Sequence, residues 1–182
     1  MSKKFTEISP KLQEFIQQQK MFFVGTARKE GTVNISPKGL DSFRVLDANK
    51  VVWMNLTGSG NETATHLLES NRMTIMFCAF EGAPNILRLY GTCDVFHPRD
   101  KEFEEYSILF PSDAGSRQVM LMKVDLVQTS CGYAVPLMDY IEDRTILSDW
   151  SRKQGPERVE NYWKEKNTVS LDGHETQILK ED

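Results

Sequence analysis

A mainly β fold, a small antiparallel barrel with helices at its ends, is the architecture this sequence predicts. Apolar runs rich in β-branched and aromatic residues recur behind turn residues, and the turns between them are mostly short. A single internal segment of helical periodicity divides the strand candidates into two groups. The chain of 182 residues can bury a sizeable core, and 40% hydrophobic against 26% charged residues is an ordinary globular balance.

Each element has a local cause. Ser9 and Pro10 form an N-cap and first-turn pair, and Leu12, Phe15 and Ile16 mark the apolar face of a helix over 10–19. Four strand candidates follow, MFFVGTA (21–27), TVNIS (32–36), FRVLD (43–47) and VVWMNL (51–56), parted by KEGT, PKG and DANK. Their close spacing predicts an antiparallel meander. TGSGNETATHL (57–67) then opens a helix over about 60–70, with Ala64, Leu67 and Leu68 at helical spacing. RMTIMFCAF (72–80) and NILRLYGTCDVF (85–96) are two further strands. Pro98 and Asp100 begin an amphipathic helix carrying Phe103 and Tyr106, and RQVMLMKVDLVQTS (117–130) is the last long strand. Beyond residue 131 the composition shifts to a charged helix near 156–166. Trp150 and Trp163 mark 131–182 as an extension that packs, on the barrel or on a second subunit, because disordered tails are poor in aromatics.

Several classes of function are excluded by composition. A net charge of −4 argues against nucleic acid, whose binding rests on a basic surface. Cys78, Cys93 and Cys131 form no CxxC pair and read as buried free thiols of a reducing compartment. The three histidines have no metal-ligand spacing. With no apolar run long enough for a membrane span and a polar start, the expectation is a soluble cytoplasmic protein.

The stretch 57–67 carries the most specific signal. Ser59 and Glu62 have the spacing of a capping box, and a helix start offers free N–H groups and about half a positive charge to an anion. Thr57, Ser59, Asn61 and Thr63 would add donors around one phosphate. A Walker A loop is excluded because no lysine ends the turn, and Thr63 stands where a GxGxxG fingerprint has its third glycine. A monophosphate is what remains. Among cations within reach of such a group, Lys38 in a Pro/Gly turn and Arg88 in an apolar strand are favoured over Arg44 and Arg72.

In order along roughly 20–130, FFVGTA, GTVNISPKG, VVWMNLTGSGNETATHLLESNRMTIMFCAF and NILRLYGT resemble the pyridoxamine 5′-phosphate oxidase-like family of FMN-binding split-barrel proteins. The resemblance implies a six-stranded split barrel over 1–130, with 131–182 as the C-terminal extension, and a homodimer with FMN at the subunit interface. It implies that Thr57, Gly58, Ser59, Asn61 and Thr63 hold the phosphate and that Asn34, Ser36, Lys38, Trp53 and Asn55 lie along the ring. Arg88 would reach the cofactor from the other subunit. Two family features are missing, a basic residue in the phosphate turn and an Arg-x-His pattern in the tail, so the substrate does not carry over. The expectation is a flavin-dependent oxidoreductase acting on a small molecule, with NAD(P)H or oxygen as second partner. Because flavin brings its own redox chemistry, no nucleophile–base pair is required. The alternatives are a flavin-binding dimer without turnover, a store or sensor, and a relative holding deazaflavin or haem, with His66 as the nearest axial ligand.

Overall fold

A computed structural model describes residues 2–180. Its strands are β1 (Lys3–Phe5), β2 (Phe22–Ala27), β3 (Val33–Lys38), β4 (Phe43–Asp47), β5 (Lys50–Leu56), β6 (Arg72–Cys78), β7 (Ile86–Phe96) and β8 (Ser116–Ser130). The helices are α1 (Pro10–Gln18), α2 (Glu62–Glu69), α3 (Lys101–Ser107) and α4 (Ile146–Lys166). The strands form one antiparallel sheet of order β3-β2-β6-β7-β8-β5-β4, with β1 added to the far end of β8.

The sheet has eight strands, not six. β1 escapes sequence reading because its three residues are all exposed and show no alternation. The expected meander is also corrected. β2–β3 and β4–β5 are hairpins as their turns predict, yet they sit at opposite ends of the sheet. The free edge of β2 pairs with β6 and that of β5 with β8, partners that lie far along the chain.

Strand β5 organises the core. Val51 and Trp53 face the main cluster, whereas Val52 and Met54 face a second one with Phe110 and Val119. Burial on both faces removes the alternation a half-exposed strand would show. In the main cluster Phe22 meets Phe43 at 4.9 Å and Trp53 at 6.0 Å, edge to face, the arrangement ring quadrupoles favour. Leu12 and Ile16 of α1 and Ala64 and Leu67 of α2 bury their apolar faces in the same cluster. Phe103 and Tyr106 of α3 pack on the second.

The tail lies on its own barrel. α4 is longer than the predicted 156–166 and is broken at Gly155, whose φ of 75° suits glycine, and Pro156 starts the second half. The Trp163 indole N–H donates to Thr57 Oγ1 at 2.8 Å, and Val159 and Asn167 are buried. By contrast 131–145 is irregular, and Tyr133, Leu137 and Ile141 are exposed. Cys78 and Cys93 are buried as expected, but Cys131 is exposed because β8 has ended by then. Among the described residues no helix is long and apolar enough to cross a membrane.

Gly91 marks the closest approach of two backbones. The β7–β8 register slips between Tyr90 and Gly91, leaving Asp125 without a partner, and a Cβ at Gly91 would collide with the Lys123 carbonyl oxygen. Gly91→Ala is therefore expected to lower stability by about 2–4 kcal/mol, read as a fall in the urea midpoint, whereas Gly82→Ala, with open space around it, is limited to the strain of its own φ of 68°.

A candidate anion and cofactor cleft at the start of helix α2

The alternation of β3 sorts its side chains into two environments. Asn34, Ser36 and Lys38 point to one face and line a cleft of about 540 Å³, and Val33 and Ile35 point to the other. The turn Gly58–Ser59–Gly60–Asn61 and the first residues of α2 form the floor of the cleft. Arg117 at the start of β8 forms a wall, and Lys166, Ser170 and Leu171 of the tail close one side.

Besides the exposed Lys166, two cations set back from solvent converge there. Arg117 is 3% exposed, and its Nη1 donates to Gly60 O at 2.9 Å and to Asn167 Oδ1 at 2.6 Å. Burial lowers its pKa to about 10, which leaves it cationic at neutral pH. Lys38 Nζ donates to Asn55 Oδ1 at 3.3 Å and sits 5.2 Å from the centre of the Trp53 ring. Asn55 Nδ2 donates in turn to Gln118 Oε1 at 2.8 Å, so the amide holds one neighbour on each side. Burial, with a smaller push from Arg117, lowers the Lys38 pKa to about 8.

Around these cations the polar atoms are incompletely paired. Asn34 Nδ2 donates to Thr63 Oγ1 at 3.1 Å. Ser36 Oγ, both side-chain polar atoms of Asn61, Arg117 Nε and Gln118 Nε2 are buried without a protein partner. Each such group costs about 1–3 kcal/mol unless a water or a polar ligand satisfies it. The α2 N-terminus adds its free N–H groups and positive end.

The structure brings Asn34, Ser36, Lys38, Asn55, Gly58, Ser59, Asn61 and Thr63 to this cleft, and leaves Trp53 and Thr57 outside it. Trp53 is fully buried in the aromatic core beneath Lys38. The Thr57 hydroxyl donates to Gly115 O at 2.9 Å and accepts from Trp163, which makes it a tie between the turn and the tail. Arg88, expected to reach the cofactor from another subunit, donates to Ser130 Oγ at 3.1 Å on a different part of this chain's sheet. The Ser59–Glu62 capping box does not form either. Asn61 takes the N-cap position, and both Glu62 carboxylate oxygens accept from the Leu171 N–H at 3.1 Å. His66 is buried against Thr26 at 3.1 Å and does not line the cleft.

Arg117, Gln118, Glu62, Lys166 and Ser170 are cleft or neighbouring residues that sequence reasoning missed. The one usable signal was the Arg-Gln pair at the head of an otherwise apolar strand, where burial of both demands partners.

Residues 8–131 match the family model described as pyridoxamine 5′-phosphate oxidase. The chain belongs to the pyridoxamine 5′-phosphate oxidase family. It is 40% identical over 144 residues to the pyridoxamine 5′-phosphate oxidase family protein ustO of Aspergillus flavus, an alignment covering 76% of this chain and 58% of that protein. The chain thus spans little more than half the length of this relative. Among solved structures it is similar to a histidine-to-alanine variant of Group A Streptococcus HupZ, with a TM-score of 0.55 and 19% identity over 68% of this chain and 99% of that one. A Lactobacillus delbrueckii protein provisionally named a pyridoxamine 5′-phosphate oxidase gives a TM-score of 0.54 and 15% identity over 68% and 94%. At these identities the two structures support the fold alone. The family match ends at residue 131, well before the tail residues that close the cleft.

The lowered pKa of Lys38 gives the cleft a pH dependence. Sulfate, whose charge is constant over this range, is expected to bind about tenfold more weakly at pH 9.5 than at pH 7, as folded Lys38 loses its proton near pH 8. Stability of the free protein should move the other way. Between about 8 and the ordinary value of 10.5 the unfolded chain still holds the proton that the folded chain has released, so folding gains with rising pH. Calorimetric titration and urea midpoints of the wild type and Lys38→Met check both slopes, and the variant should lose both.

Proposed function

We propose that this chain is an FMN-binding protein that works as a flavin-dependent oxidoreductase on a small organic molecule. The observation that carries the reading is the convergence of Lys38, Arg117 and unpaired buried donors on the start of α2. The residues fit the group. Arg117 Nε, Asn61 Nδ2 and the first N–H groups of α2 are donors suited to a terminal phosphate, and Arg117 supplies the cation that the phosphate turn itself lacks. Asn34, Ser36, Lys38 and Asn55 extend the polar wall away from that end, where they would hold and orient the ring.

When bound, FMN supplies hydride and one-electron chemistry. The chain's own task is orientation and electrostatics. Lys38, a cation held at the border of ionisation, stabilises negative charge beside it and can release or take a proton near neutral pH. Among the described residues no histidine or cysteine lines the cleft, and the one carboxylate there, Glu62, is engaged by Leu171. That inventory suits a site whose reactive group is the cofactor. NAD(P)H is the proposed electron donor. The same inventory also suits a flavin store or sensor, which the reduction experiment separates from an enzyme.

We further propose that the protein is a homodimer. The other face of β3 supports it, because Val33 and Ile35 are 70% and 69% exposed at the rim of an apolar groove of about 600 Å³ shared with β2, β6 and β7. One strand would then serve the cleft with its even residues and the subunit contact with its odd ones.

Adding FMN to the purified protein should shift the flavin absorption bands and quench flavin fluorescence. Arg117→Met should weaken FMN by about ten- to a hundredfold, the loss of a charge-assisted hydrogen bond. Bleaching of bound flavin by anaerobic NADPH would support an enzyme, persistent colour a binder, and no flavin uptake at all would sink the reading. In light scattering, Ile35→Glu is expected to halve the mass of the wild-type particle, and a wild type that is already monomeric would remove the dimer.

A further inference from the structure

We propose that Asn167, in the tail, is a positioning residue of the anion grip: it anchors Arg117 through a neutral amide and so keeps the arginine's full charge available to a phosphate in the cleft. This rests on the reading that the cleft receives the phosphate of FMN.

Asn167 is fully buried and ties three parts of the chain together. Its Oδ1 accepts from Arg117 Nη1 at 2.6 Å, its Nδ2 donates to Gly58 O at 3.1 Å, and its own carbonyl accepts from the Thr176 hydroxyl. The side chain therefore fixes the guanidinium relative to the phosphate turn, since Gly58 lies in that turn and Gly60 O is the second Nη1 partner. The Nε–H of Arg117 keeps no protein partner although it is buried. The arginine is thus held from one side and left with a donor unspent.

The chemistry of the anchor matters as much as its geometry. A buried guanidinium is ordinarily paired with a carboxylate, which compensates its charge. Here the acidic residue at the cleft, Glu62, is turned to the Leu171 N–H, and Arg117 forms no salt bridge among the described residues. An amide satisfies the hydrogen bond and leaves the charge uncancelled, which is the condition for holding an anion.

The tail is built to keep this anchor in place. After α4 it turns back through the bridge Val169↔Glu175, and the Ser170 N–H donates to His174 O at 2.8 Å. The hairpin tip is fastened to the barrel, where Asp172 Oδ2 accepts from the Thr32 N–H at 2.8 Å and from its hydroxyl at 2.9 Å. Those two bonds hold the Asp172 carboxyl below the usual carboxylate range.

The test is the affinity of the full-length protein for FMN and for riboflavin, which lacks the phosphate, together with the melting temperature. Asn167→Asp keeps an acceptor for Arg117 and cancels its charge, but it gives up the N–H donated to Gly58 O, so its melting temperature is expected to fall. It is expected to weaken FMN by about tenfold or more while riboflavin changes by less than about twofold. Asn167→Ala removes the anchor without adding charge and should lower the FMN-to-riboflavin preference to a smaller extent, which gives a reading even if the aspartate variant does not fold. Unchanged FMN affinity in Asn167→Asp, or an equal loss for both flavins, would overturn the proposal and leave Asn167 a structural residue. Should the wild type ignore FMN, the flavin reading fails by itself, and sulfate titration decides the role of Asn167. A weaker sulfate affinity in Asn167→Asp then upholds it, and no difference, or no sulfate binding by the wild type, ends it.

Discussion

A cation with almost no access to water sets the terms for this structure. Arg117 is buried at the head of β8, and a guanidinium there must find acceptors within the protein or destabilise the fold by several kcal/mol. It finds a backbone carbonyl in the turn before α2 and an amide from the far end of the chain. The turn must therefore present Gly60 O inward, and the tail must return across the barrel to bring Asn167 within reach. The Thr57 hydroxyl, bonded to both Gly115 and Trp163, repeats the same link between turn, strand and tail.

A second constraint comes from the sheet. β3 and β4 are its two ends and do not pair, yet Lys38 of β3 reaches Asn55 of β5. The sheet coils until side chains, not backbone hydrogen bonds, span the split. A cleft left open in this way can be lined by polar residues from both ends without breaking a ladder. Pro37 fits on β3 because that strand is an edge, where a missing N–H leaves no ladder bond unmade on the open side.

Much of this was legible in the sequence. Hairpins, the starts of α1 and α3 and most strand lengths follow from nearby turn residues and apolar periods, and the turn before α2 lines one cleft together with Asn34, Ser36, Lys38, Asn55, Asn61 and Thr63. What was hidden depends on partners distant in the chain. Arg117 looked like the first residue of a strand, because nothing near it in sequence shows that Gly60 and Asn167 complete its shell. Glu62 has the spacing of a capping residue, but a tail N–H more than a hundred positions later takes its carboxylate. Trp53 is expected along the ring from the family resemblance alone, and its place in the main cluster makes it core. Local chemistry thus names the floor of the cleft, while its wall and roof are supplied by topology.

The break in α4 carries a constraint of another kind. Gly155 ends one helical segment and Pro156 begins the next, so the second segment runs as a rigid rod from a fixed start to the residue that meets Arg117. Adding or removing one residue in that rod would rotate everything beyond it by about 100° and shift it by about 1.5 Å, enough to swing the amide off its partner. Substitutions on the solvent side of the rod are free to accumulate, but its length is not. Sequence drift in this segment should consequently proceed by replacement, with insertions and deletions confined to the irregular stretch before residue 146.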